Sequence, residues 1–583
     1  MKDEHVEISN PAPSSPPARW WKSPFLYTTA VMRERENQVF LLLSLIIGAL
    51  TGLVVVAFIL LTEHVGMRLY PVGSAAWRRV LFPIGGSLGI GYLLYRYFPY
   101  ARGSGVPQTK AALYAREGRI LFRTVLGKFF CTSVTLASGI PLGREGPSVQ
   151  VGAGIASVLG RNLGLSQEKV KALIPVGAAA AIAAAFNTPM AAVLFALEEI
   201  VGDLNAPVLG SVVLASATAW GVLRASLGGS PLFNVPQYEL VHPAEFLVYA
   251  VLGVLGGLVS AAFAKLLLGV RAWFLRLPEK TAWFQPVAGG LAVGLMGWLV
   301  PQVLGVGYGY VGDALNGRMT LQLMALLILL KLIAVTISYG SGNAGGIFGP
   351  ALFIGAMLGG SVGTVAHHWF PAYTATPGAY ALVGMGTAFA GIVRAPMTSV
   401  LMIFEMTRDY AVIVPLMISN MISLFICSLI QHEPTYEALA IQDGIHLPSS
   451  PSRSGLKRVA RVMKSPDSLL SAELTVREAL EEIRTAKFRT SIVSGGRGVI
   501  GVVNQLALQQ QLEKDPEQKL EKIVDVLTFP HVHADQGLDQ ALERMGANHL
   551  DVLPVVNRAN IHKLEGIVTL RDVLNSYGVG ETD

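Results

Sequence analysis

The sequence predicts a polytopic α-helical membrane protein with inverted internal repeats and broken, re-entrant helices, followed by a cytoplasmic α/β region built from two similar units. Three observations predict it. Of 583 residues, 52% are hydrophobic and only 14% are charged, against about 25% charged in a soluble globular chain. The apolar residues gather into long uncharged runs cut by 62 glycines and 32 prolines. After Tyr436 the runs stop and charged sequence takes over. With a mean hydropathy of +0.49, an ordinary soluble enzyme is excluded.

Residues 1–37 open on Lys2, Asp3, Glu4 and His5 and pass through a Pro/Ser-rich stretch. They lack the apolar core of a secretory signal and read as a cytoplasmic tail. The membrane domain is expected over 38–440, in two halves of about 38–226 and 244–440. Its first run, Val39 to Leu61, is uncharged and long enough to cross the hydrocarbon core as a helix, which takes about 20 residues. Further apolar stretches fall near 79–99, 121–142, 146–160, 169–202, 206–226, 244–271, 284–303, 320–339, 346–366, 378–393 and 396–431. Several are too short to cross alone, which suits half-helices that end inside the membrane and aim their termini at a substrate. Arg96, Arg102, Lys110, Arg116, Arg119 and Arg123 face a single acid, Glu117, so the positive-inside rule places this segment on the cytoplasmic side. The net charge of +6 is small for this length and lies mostly between apolar runs, so no nucleic-acid partner is expected. Cys131 and Cys427 are embedded in apolar sequence and read as packing residues.

The halves repeat. Gly143-Arg144-Glu145-Gly146-Pro147 with Gly152-Ala153 aligns without gaps on Gly346-Ile347-Phe348-Gly349-Pro350 with Gly355-Ala356. Val176-Gly177, Pro189-Met190, Val193-Leu194 and Glu198 recur as Val383-Gly384, Pro396-Met397, Val400-Leu401 and Glu405. Repeats inverted across the membrane place the substrate site at their interface near the midplane. Beyond a linker at 441–457, residues 458–580 carry two units, about 458–514 and 520–578. The first runs Val462-Met463, a helix near 476–486, then Gly501-Val502-Val503. The second runs Ile523 to Leu527, a helix near 537–546, then Gly566-Ile567-Val568.

The chemistry concentrates in the Gly/Pro loops. An ionisable group at membrane depth costs at least about 2.5–3.5 kcal/mol, so Glu145 between two apolar runs is a functional candidate. Pro147 marks a helix start, and the glycines before it leave backbone N–H groups open to an anion that the helix dipole favours. A carboxylate there can occupy the anion site and leave it on protonation, coupling a proton to an anion by competition. The alternative is a capping carboxylate paired with Arg144. Gly345-Gly346-Ile347-Phe348-Gly349-Pro350 has the same design without the acid. Gly103-Ser104-Gly105-Val106-Pro107 adds a hydroxyl donor.

These segments resemble the three signatures of the CLC family of chloride channels and proton/chloride antiporters. The resemblance extends to Ala184-Ala185-Phe186-Asn187-Thr188-Pro189, to Leu197-Glu198-Glu199 and to Tyr436, covering about 39–440. It implies the CLC fold, a homodimer with a pathway in each subunit, and a multi-pass protein of the plasma (cell inner) membrane with both termini cytoplasmic. It implies transport of chloride and protons rather than enzyme chemistry. Residue by residue, Ser104 and Tyr436 would donate hydroxyls to a central chloride, with Ile347 and Phe348 supplying amides. Glu145 beside Gly146 would be the external gating acid. Lys128 and Arg144 would add positive potential, a snorkelling lysine being the alternative for Lys128. Members that exchange protons carry a second acid where Glu199 stands, which favours antiport over a passive voltage- or proton-gated channel of the same fold. Glu198 joins it as a candidate, with a helix-end or dimer contact as the alternative. Ser104 resembles chloride-preferring members.

The C-terminal pair resembles tandem cystathionine-β-synthase (CBS) domains, which in some members bind adenine nucleotides. Thr569 and Asp572 fit their Thr-x-x-Asp ribose pattern, whereas Asn504 and Ala507 depart from it. One nucleotide pocket or a purely structural pair both follow. No metal or redox cofactor is required: the 11 histidines form no H-E-x-x-H motif of a CBS-bearing membrane protease, and His367-His368 reads as interfacial. Acidic rings for a divalent-cation channel are missing from the apolar runs.

Overall fold

A computed structural model describes residues 36–576 apart from 72–74, 205–207, 230, 234, 236–237, 239, 446–457, 467, 487, 497 and 525–528. Residues 1–35 of the expected tail, most of the linker and the segment from Asp525 to Leu527 lie outside the described residues; Glu36 and Asn37 belong to the first helix rather than to the tail. The first half of the membrane region holds α1 (Glu36–Leu69), α2 (Ala76–Arg96), α3 (Val106–Tyr114), α4 (Phe122–Ala137), α5 (Glu145–Asn162), α6 (Gln167–Phe186), α7 (Pro189–Phe195) and α8 (Leu209–Leu227). The second holds α9 (Glu245–Leu275), α10 (Pro286–Leu299), α11 (Tyr308–Leu315), α12 (Leu321–Gly340), α13 (Phe348–Trp369), α14 (Pro377–Val393), α15 (Pro396–Thr407), α16 (Ile413–Ile430) and α17 (Thr435–Gln442). Among the described residues seven helices are long and apolar enough to cross a membrane. Large apolar side chains such as Leu41, Leu247, Leu329 and Phe425 point outward and are exposed, as a bilayer-facing surface requires.

The apolar stretches 169–202 and 396–431 are each broken into pieces. Asn187 takes a left-handed conformation and ends α6, and Thr188-Pro189 restarts the chain as α7, where proline fits the first turn. Arg394 ends α14 in the same way before Pro396 opens α15, and a left-handed Arg408 ends α15 inside the 396–431 stretch before α16 begins. A π-helical turn, Ala196–Val201, extends α7 and carries Glu198 and Glu199. The repeat is visible in the packing. α5 lies on α6 as α13 lies on α14, and α1 packs on α8 as α9 packs on α16. In both copies glycines make the crossing: a Cβ on Gly152 would stand 2.3 Å from the Gly177 carbonyl oxygen, and one on Gly355 would stand 2.2 Å from that of Gly384. These close approaches are what small residues in membrane helices permit.

The soluble region has two sheets. β1 (Leu470–Ser471) runs parallel to β2 (Thr490–Gly495), which pairs antiparallel with β3 (Gly498–Asn504). β4 (Val552–Asn557) pairs antiparallel with β5 (Asn560–Thr569), and Val532 bridges Val555 in parallel where the first unit has β1. α18 (Val476–Thr485) and α19 (Gln505–Leu512) belong to the first unit, and α20 (Leu538–Asn548) and α21 (Leu570–Ser576) to the second. One expectation is corrected. Val462 and Met463, read as the opening of the first unit, pack with Val459 into the core of the second. There Lys464 exchanges both backbone hydrogen bonds with Ile567. The lead-in thus ties the units together, which a sequence read unit by unit does not show.

Candidate anion pathway

The three Gly/Pro loops converge at the centre of the membrane region. Gly143 and Gly346, matched by the repeat, face each other in an antiparallel bridge: each N–H donates to the other's carbonyl at 2.7 Å. The two repeat copies therefore meet head to head, as inverted halves should. The 103–107 loop closes on the same point. A Cβ on Gly105, whose φ is +108°, would stand 2.2 Å from the Gly146 carbonyl oxygen, and one on Gly146 would stand 2.7 Å from the Ser104 hydroxyl. Glycine is required at both positions.

At this junction helix starts point inward. α5 begins at Glu145, and its first intrahelical bond is from the Ser148 N–H to the Arg144 carbonyl; α13 begins at Phe348, and its first is from Ala351 to Ile347. The amides ahead of these bonds have no partner within the helix and carry the positive end of its dipole. Phe348 itself is fixed by Phe186, Phe195 and Phe389 at ring separations of 5.1, 5.4 and 4.4 Å. The Ser104 and Tyr436 hydroxyls are buried near one another, and neither is satisfied by a protein partner. A buried polar atom left without a partner costs about 1–3 kcal/mol, so a pair of them is a place for a hydrogen-bond acceptor that the chain does not supply.

The carbonyls of the 103–107 loop turn away from that place. Lys128, fully buried, donates to the Ala101 carbonyl at 3.0 Å and to the Gly103 carbonyl. It does not snorkel. A cavity of about 240 Å³, bordered by Arg102, Arg116, Arg271 and Asp443, leads to Gly103. Arg271 reaches the Gln442 side chain at 2.9 Å and pairs with Asp443, pinning the end of α17 whose start bears Tyr436.

Glu145 is fully buried with Oε2 unpartnered, while Oε1 accepts a hydrogen bond from the Tyr308 hydroxyl. Arg144 pairs instead with Glu63 at 3.0 Å. The alternative of a capping carboxylate paired with Arg144 is therefore overturned: the guanidinium turns outward to α1. Glu199 is buried beside Lys110, 3.0 Å away, which also lies 3.6 Å from Glu437, the neighbour of Tyr436. Glu198 is spent on structure. It accepts from the Met397 and Thr398 N–H groups at 3.2 and 2.8 Å and from the Thr398 hydroxyl at 2.7 Å, at the start of α15. Glu405 does the same for Met190 and Ala191 at the start of α7, at 3.0 and 2.7 Å.

Sequence reading missed Lys110, Tyr308 and Lys331. Lys331 is the one it could have found, because it follows Lys128 at the offset that separates Gly143 from Gly346. In the soluble region Thr569 and Asp572 are tied to each other: the Thr569 hydroxyl donates to Asp572 at 2.9 Å and accepts from its N–H at 3.1 Å, while Lys464 pairs with Asp572 at 2.6 Å. A cavity of about 830 Å³ instead opens beside Asn504, the first-unit counterpart of Thr569, between Gln505 and Met545.

The match to known proteins follows this geometry. Residues 85–428 fit the family model described as voltage gated chloride channel, and residues 524–578 fit that of the CBS domain. The chain belongs to the voltage-gated chloride channel family. Within that family it is 32% identical over 413 residues to the H(+)/Cl(-) exchange transporter ClcA of Vibrio campbellii, covering 68% of this chain and 88% of that one. It is 31% identical over 428 residues to ClcA of Salmonella arizonae, covering 70% and 89%. Among solved members, a slow cyanobacterial Cl⁻/H⁺ antiporter superposes with a TM-score of 0.64 at 27% identity, over 69% of this chain and 97% of that one. A eukaryotic CLC transporter shares the fold over 94% of this chain and 98% of its own, with a TM-score of 0.63 at 20% identity. This member of the channel family is thus a multi-pass membrane transport protein with a CBS region.

Proposed function

We propose that the protein exchanges chloride for protons, each subunit of a homodimer having its own pathway, in the plasma membrane with both termini cytoplasmic. The observation that carries this reading is the pair of buried, unsatisfied hydroxyls of Ser104 and Tyr436 with the Glu145 carboxylate at the neighbouring helix start. Chloride would take the hydroxyls and the Ile347 and Phe348 amides. Glu145 holds the next position outward and, once protonated, loses its attraction for the helix dipoles and gives way to a second anion. Gly146 allows the approach, and Lys128 supplies positive charge from behind the loop. Protons would pass between the cytoplasm and Glu145 by way of Glu199. Glu198, committed to the start of α15, is not needed as a carrier. The exchange requires no cofactor; an adenine nucleotide at Thr569 and Asp572 would act as an effector and would displace their mutual hydrogen bonds.

Lys110 favours a second reading, passive chloride conduction, because a carboxylate held by an ammonium releases and takes up protons less freely. Flux from proteoliposomes separates the two. A chloride gradient should drive uphill proton movement, and the reversal potential under opposed chloride and pH gradients should depend on both ions; dependence on chloride alone would leave only the channel. Glu145→Gln should keep moving chloride and lose proton movement entirely.

A further inference from the structure

The 103–107 loop has a counterpart that lies near the outer end of Glu145. Lys331, fully buried, donates to the Val303 and Gly305 carbonyls at 3.1 and 2.7 Å, as Lys128 does to Ala101 and Gly103. Gly305 and Gly307 have φ values of +62° and +86°, matching Gly103 and Gly105 at +86° and +108°. The segment Gly305-Val306-Gly307 thus rebuilds Gly103-Ser104-Gly105, with its carbonyls held back by an ammonium. At the serine position stands Val306, which brings no hydroxyl. Two residues on, Tyr308 brings one. Its oxygen donates to Glu145 Oε1 and lies 3.1 Å from where a Gly349 Cβ would be, at the start of α13. The carboxylate there is an anion already seated: Glu145 is buried, and its second oxygen finds no other partner.

We propose that the Tyr308 hydroxyl is an anion ligand of an outer site, donating by turns to the Glu145 carboxylate and to the chloride that replaces it, as Ser104 and Tyr436 donate at the central site. This rests on the exchange reading, because it needs Glu145 to leave. The donor stays in place through the exchange, so the two anions compete for one hydrogen bond. The ring is seated against Phe233 at 5.9 Å and lies under the Arg144 guanidinium at 5.8 Å, so the hydroxyl can be removed without removing the ring.

The test titrates chloride by calorimetry into the purified full-length Glu145→Ala protein, which frees the outer site, and into Glu145→Ala/Tyr308→Phe. The double variant should bind chloride at the outer site at least about tenfold more weakly, the scale of a hydrogen bond to a charged group. Central-site binding should be unchanged. Equal outer-site affinity in the two proteins overturns the proposal. If the double variant does not fold, the comparison is made in the Glu145→Gln background, where no carboxylate competes, by chloride titration at fixed pH. There, the apparent Kd for chloride of Glu145→Gln/Tyr308→Phe should exceed that of Glu145→Gln severalfold, and equal values overturn the proposal. A wild-type protein that moves chloride without protons would defeat the exchange reading and leave the binding comparison standing.

Discussion

The 103–107 loop with Lys128 and the 305–308 loop with Lys331, inner and outer in the proposed orientation, are the same backbone device equipped differently. Both use glycines with positive φ, and both have a buried ammonium that draws two carbonyls back. The inner loop then offers an unpartnered serine hydroxyl, whereas the outer loop offers valine and a tyrosine that is engaged with an acid. The helix starts differ in the same sense, Glu145 opening α5 and Phe348 opening α13. Repetition builds the scaffold, and single residues at matched positions give each face its chemistry. Of this matched pair of helix starts only that of α5 carries an acid, and under the proposed exchange that is where a proton contests the anion path.

The sharpest way to break this comparison is at the acids. Glu199→Gln should abolish proton movement while chloride flux persists, measured in the same liposomes; retained coupling would mean that the first half's acids are not the proton route. Next come the paired lysines. Lys128→Met and Lys331→Met each leave two buried carbonyls without a donor and should each lower stability by about 3 kcal/mol, read as thermal unfolding in detergent. Similar losses would bear out the structural equivalence of the loops, and a loss from only one would end it. The cross-capping acids are a smaller test: Glu198→Ala and Glu405→Ala should each cost about 1 kcal/mol, the usual worth of a helix cap, and by similar amounts. The smallest effect lies outside the membrane. Glu478 caps α18 in a reciprocal box with Thr475, and those hydrogen bonds hold its carboxyl below the usual 4.5. Its stabilisation is present above that value and is lost as pH falls through the lowered one. Glu478→Gln should therefore unfold slightly earlier at pH 7 and match the parent under strongly acidic conditions.

The loops and their prolines were legible because glycine next to proline is a backbone instruction that needs no tertiary context. The repeat was legible for the same reason, since glycine pairs such as Gly152 with Gly177 and Gly355 with Gly384 mark fixed helix crossings. Roles that depend on what stands opposite were not. Arg144 lies next to Glu145 in sequence yet pairs with Glu63, because the α5 start directs adjacent side chains apart. Lys110 reads as a boundary cation in a basic segment, and only folding brings the π-helical turn of Glu199 against it. Tyr308 carries no signature of its own until the outer loop is recognised as the inner one repeated.

The reciprocal caps bear on how the protein is made. The open amides at the start of α7 wait for a carboxylate 214 and 215 residues further along the chain, and the start of α15 is sealed by an acid synthesised long before it. During synthesis, the carboxylate that caps the start of α7 therefore becomes available only after Glu405 has been made. A chain halted before that point lacks the carboxylate that seals this helix end in the finished fold.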